Sequence, residues 1–154
     1  MKRLLWSVLL VLSIVLSACG NDEEEVATCE NTLAPIEVEL SWSPNNISPG
    51  ENVTFQLNLS HDNLPIADPQ DVALEIWEHG NEDYHYLEEV SKTNETGVYT
   101  LDWEFPEEGV YYAYYHVTAC EMHRMEKEQV IVGDPDVEQI EQEEDTVESM
   151  WGHH

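Results

Sequence analysis

The chain is nearly devoid of cations, with five Lys and Arg against 33 Asp and Glu in 154 residues and a formal net charge of −28. A surface of that sign excludes nucleic acid and anionic lipid headgroups as partners of the protein body, since both require a basic face. Long hydrophobic runs are missing apart from Leu4 to Leu16, which is shorter than the roughly 20 residues a spanning helix needs. Cysteine occurs three times, at Cys19, Cys29 and Cys120. Gly-x-Ser-x-Gly, His-Glu-x-x-His and a Gly-rich phosphate loop are all absent, so the sequence argues against an enzyme. No Asp-x-Asp-x-Asp-Gly loop suggests a dedicated calcium site, and the acidity reads as a solvated surface.

What is present begins with Lys2 and Arg3, then the apolar run, then Leu16-Ser17-Ala18-Cys19. This is the pattern of an export signal with small residues before the cut. The Leu-Ser-Ala-Cys string resembles the lipobox of bacterial lipoproteins. It implies a diacylglycerol on Cys19, a mature chain starting there, and a location on the extracytoplasmic face of the cell membrane, held by the lipid. Removing residues 1–18 leaves 154 − 18 = 136, enough for one domain with tails. Every acid lies after Cys19, where only Lys92, Arg124 and Lys127 are basic, so the mature charge is 3 − 33 = −30.

Residues 19–34 read as an acidic tether and 134–154 as an acidic disordered tail, because Val137, Ile140 and Val147 are too few to define a buried face. Between them, residues 35–133 alternate with period two: Ile36/Val38/Leu40/Trp42, Val53/Phe55/Leu57/Leu59, Val72/Leu74/Ile76, Tyr99/Leu101/Trp103/Phe105, Tyr111/Ala113/Tyr115/Val117, and Val130 with Val132. A short strand near Tyr84 to Val90 makes seven. Turn signals at Ser48-Pro49-Gly50, His79-Gly80-Asn81 and Glu95-Thr96-Gly97 separate them. The expected fold is all-β, an immunoglobulin-like antiparallel sandwich. Tyr111, entering a late strand after Gly109, matches a tyrosine corner.

Soft metal ligands concentrate in one segment, His116 to Met125, which holds two His, two Met and one Cys. Imidazole with thioether selects copper, above all Cu(I), over hard cations. Met122 and Met125 are expected in a loop between the last two strands. Sandwich topology brings that loop to the same end as His61 and the start of the first strand, which gives a candidate metal set of His116, Met122, His123, Met125 and His61. Cys29 and Cys120, separated by 120 − 29 = 91 residues, either form a bridge beside that set or contribute thiolate to it. By parity, His116 should face outward together with Tyr112 and Tyr114. His79 and His85 are expected in solvent without a role.

The stretch Ile36 to Val132 resembles the YtkA-like domain found in lipoproteins of Bacillus-type bacteria and is similar to FixH-like proteins. The resemblance is carried by Leu40-Ser41-Trp42-Ser43-Pro44, Ile47-Ser48-Pro49-Gly50-Glu51, Ser60-His61-Asp62, Gly97-Val98-Tyr99, and His116-Val117-Thr118-Ala119 with Met122-His123 and Met125. It implies copper as a bound metal and a copper-containing membrane oxidase as a partner, with an accessory role in respiration. Cys120 stands where the family has a basic residue, so a Cys29–Cys120 bridge would belong to a subgroup. The competing expectation is a sandwich module that binds a protein or the cell wall without metal, using Tyr112 and Tyr114 as an aromatic strip.

Overall fold

The computed structural model describes residues 25–31 and 33–150. The export signal and Cys19 lie outside the described residues, as do His153 and His154. Among the described residues, nine strands and one short helix follow in chain order: β1 (Ile36–Ser43), β2 (Asn52–His61), β3 (Leu64–Pro65), β4 (Asp71–Glu78), β5 (Asn81–Glu89), β6 (Ser91–Lys92), β7 (Val98–Glu104), β8 (Gly109–Ala119), β9 (Met122–Val132) and α1 (Val137–Ile140). One sheet runs β1-β2-β7-β6, with β3 paired to β2, and the other runs β5-β4-β8-β9. Every paired strand within them is antiparallel. The expected immunoglobulin-like sandwich is therefore the fold.

The alternating residues do what their parity requires. Val53, Phe55, Leu57 and Leu59 of β2 meet Leu74 and Ile76 of β4 and Tyr111, Ala113, Tyr115 and Val117 of β8 in one buried cluster between the sheets. Full burial of such side chains stabilises by about 1.5–3 kcal/mol each. The two sheets are also tied at an edge, where Ile47 bridges Val132 in parallel and Gly133 N–H donates to the Ile47 carbonyl at 2.8 Å. Tyr111 completes its corner by donating from its hydroxyl to the Glu107 carbonyl at 3.0 Å. Burial, reinforced by the nearby Glu78 and Tyr84, pushes that phenol up to about 12.

Two hairpins turn on paired residues with positive φ, Asp62-Asn63 (55° and 64°) and Cys120-Glu121 (52° and 60°). Consecutive positive φ values match the right-handed twist of the flanking strands and make a two-residue connection. The second turn corrects an expectation: Met122, His123 and Met125 are in strand β9, not in a loop. The exposure of β9 from His123 to Gln129 explains why alternation failed to reveal that part of it. Gly97 marks a third tight place, where φ is 76° and an added Cβ would sit 2.7 Å from the Leu59 carbonyl oxygen.

The described parts of the segments expected as tether and tail lie against the sandwich. Ala27 N–H donates to Pro65 O at 2.9 Å, and Cys29 is bonded to Cys120, so residues 27–29 are held there. At the other end, residues 137–149 lie across the outer face of the second sheet. Val137, Ile140 and Val147 pack there on Trp77, Val110 and Tyr112. Three apolar residues suffice because they need only cover an aromatic surface the sheet already presents, with hydrogen bonds supplying the rest.

Two outcomes test this architecture. Tyr111→Phe should lower the unfolding free energy in urea by about 1–2 kcal/mol, the cost of an acceptor left without its donor. Replacing Cys29 and Cys120 together by Ser should cost up to about 4–5 kcal/mol, the chain-entropy value for so long a loop, read as a drop in the denaturation midpoint.

Candidate functional site

The outer face of the β5-β4-β8-β9 sheet carries the chemistry, and register explains its composition. On β8, Tyr112, Tyr114, His116 and Thr118 point away from the core; opposite them on β9 stand Gln129, Lys127, Met125 and His123. On β4 the same face holds Trp77, Glu75, Ala73 and Asp71. His116 and Met125 are direct cross-strand partners, and His116 and His123 have ring centroids 6.2 Å apart. Three of the five candidate ligands therefore share one surface. Met122 has the opposite parity and packs against the core.

His61 is separate again. It ends β2 with core parity, 2% exposed, and its Nε2 lies 3.0 Å from Asn31 O and 3.1 Å from Ala34 O. Two carbonyl acceptors at one nitrogen require the proton there. That imidazole fastens the segment leading into β1, which the Cys29–Cys120 bond fastens as well.

The centre of the outer face is Glu75, a carboxylate with 0% exposure that sequence reading passed over. His85 Nε2 donates to its Oε1 at 2.5 Å and His116 Nε2 to its Oε2 at 2.8 Å. The C-terminal segment supplies two more donors, Ser149 Oγ to Oε2 and Met150 N–H to Oε1, both at 2.7 Å. Burial alone would raise the carboxyl pKa. The hydrogen bonds from His116, Ser149, Met150 and His85 outweigh it and bring the pKa down from 4.5 to about 2.

An ionised carboxylate accepts only, so both imidazoles must carry their protons on Nε2. In the tautomer so fixed it is Nδ1 of His116 that would face a metal, with the ring oriented by a carboxylate in the manner of a histidine ligand held from behind. His116 is outward in parity, as expected, yet 0% exposed, because this face is covered. His85 departs from its expected place in solvent: its side chain is 9% exposed and held on Glu75.

His79 departs from expectation too. Its Nε2 donates to Glu143 O at 2.9 Å, which makes its Nδ1 the acceptor for Tyr112 Oη–H at 2.9 Å. Tyr112 and Tyr114 form no open strip. They pack around Trp77, at centroid distances of 5.3 and 6.1 Å, beneath the C-terminal segment.

A signal for Glu75 did exist. Ala73-Leu74-Glu75-Ile76-Trp77 has bulky or apolar residues at both parities, the mark of a strand covered on both faces. Glu75 lies diagonal to His116 on β8 and to His85 on β5, close enough for long side chains to meet. Among 33 acids it did not stand out.

Among the described residues no three His, Cys, Asp or Glu side chains are grouped to hold a metal ion. The donor set on this face is of another kind, two imidazoles and a thioether, with Met125 50% exposed on its edge. That set fits a soft cation. Also among the described residues, no helix is long and apolar enough to cross a membrane.

Two antiparallel sheets in this order, with an aromatic and His/Met outer face, define an immunoglobulin-like β-sandwich module. The chain belongs to the YtkA-like family, whose model matches residues 30–116, more than half of the 154. Comparison with curated proteins gives no match. The matched stretch contains His61, Glu75, His85 and His116 and stops before Met122, His123 and Met125.

The Glu75 network makes stability depend on acid. A carboxyl whose folded pKa lies below its unfolded value contributes stability that is complete above about pH 4.5 and is lost as pH falls toward about 2. Glu75→Gln should remove about 3 kcal/mol at pH 7 and flatten that part of the stability profile, checked by urea denaturation from pH 2 to 7.

Proposed function

We propose that this YtkA-like protein is a lipid-anchored lipoprotein of the extracytoplasmic membrane face that binds copper and serves a copper-containing membrane oxidase. The observation that carries the reading is the shared face of His116, His123 and Met125, with Glu75 fixing the His116 tautomer from behind. Thr118 Oγ1 lies 2.9 Å from His123 Nδ1, so the hydroxyl positions the second ring as well. Nitrogen and thioether donors in that combination favour Cu(I) over calcium or magnesium, which take oxygen. The acidic body is repelled by anionic headgroups, so the diacylglycerol on Cys19 would supply the membrane attachment.

The parity of β9 sharpens the ligand set. Met122 points into the core and His61 serves the N-terminal segment, which leaves His116, His123 and Met125 as the residues to bind.

The test is Cu(I) competition against a chromophoric chelator, using the mature chain with Cys19→Ser to prevent lipidation. His123→Gln with Met125→Leu should weaken binding at least tenfold, while Met122→Leu leaves it unchanged. Equal affinity in all three chains would refute the assignment.

A further inference from the structure

The C-terminal segment does more than cover an apolar surface. Asp145 accepts from Trp77 Nε1 at 3.0 Å and from Gly80 N–H at 3.1 Å, and lies 3.9 Å from Lys127 Nζ. Burial opposes the charge on Asp145, but the bonds from Trp77, Gly80 and Val147 and the nearby Lys127 prevail and lower its pKa. Gln129 Nε2 donates to Glu141 at 2.7 Å, and His79 holds the Glu143 carbonyl. The segment then ends on Glu75 through Ser149 and Met150, the same carboxylate that holds His116. Val147 and Ser149 form one wall of a groove whose other wall includes Tyr114, Met125 and Lys127.

The three candidate ligands are unequally accessible. His123 and Met125 are exposed, while His116 is completely buried. A cation arriving from solvent meets the first two and is kept from the third. The covering segment is attached by hydrogen bonds and three aliphatic side chains, with a four-residue helix and no place in the core between the sheets. Segments attached in this way open at a fraction of the global unfolding free energy.

We propose that residues 137–150 are a lid over the soft-metal site, with Glu75 as its latch. The inference rests on the copper reading given above. With the lid closed, His123 and Met125 are exposed and His116 is not; with it open, His116 joins them. Metal binding and lid closure therefore oppose each other, and by linkage each must weaken the other by the same factor.

The experiment uses the mature chain with Cys19→Ser and a double variant, Asp145→Asn with Ile140→Ser, that loosens the lid without touching Glu75 or the groove that Met125 lines. Cu(I) association, followed by stopped flow, should be at least tenfold faster in the double variant. Hydrogen exchange of the amides of residues 145–150 in the parent chain should speed up at least tenfold on adding Cu(I). An unchanged association rate, or exchange that is unchanged or slowed by Cu(I), overturns the lid while leaving the copper site standing. Absence of Cu(I) binding in both chains overturns the copper reading and the lid with it.

Discussion

A carboxylate removed from water must be matched donor for donor, and Glu75 is where this protein meets that requirement. Its four hydrogen bonds come from three directions: β5 through His85, β8 through His116, and the C-terminal segment through Ser149 and Met150. Without the last two, the outer face of the sheet would be open to solvent at its centre. Without the first two, an ionised group would be buried with half its partners. The tautomers of two imidazoles and the docking of the last residues described here all depend on this one side chain.

The outer face also shows how a very acidic protein can dock an acidic segment on itself. Lys127 is one of only five basic residues in the chain, and it stands 4.4 Å from the Tyr112 ring centroid and 5.5 Å from that of Trp77. The aromatic faces and Asp145 surround it with favourable partners. Backbone amides and the Trp77 indole provide the remaining donors. Local complementarity of this kind is short-ranged, so the net charge of the whole chain does not prevent it.

Much of the inner architecture was legible because burial between two sheets imposes a period of two. Leu57, Ile76 and Tyr115 announced their strands through neighbours two residues away. The Tyr111 corner was legible through its Gly109 turn. Of strand β9 only the end, Val130 with Val132, was legible; the part exposed from His123 to Gln129 carries no alternation, and so the Met/His string read as loop. The candidate site was half legible. His116, His123 and Met125 stood out by residue type, but the strand assignment that puts Met122 on the opposite face required the two-residue turn at Cys120-Glu121.

By itself, then, the sequence determined the strands of the core, their assembly into a sandwich, and a store of soft donors near the end of the domain. These follow from periodicity and residue chemistry, which act between near neighbours in the chain. Only the tertiary structure decided that Glu75 is buried, that His85 and His79 are engaged, and that residues 137–149 cover the outer sheet. Those facts depend on contacts such as Ser149 to Glu75, 74 residues apart, and a pattern with a period of two carries no information at that range.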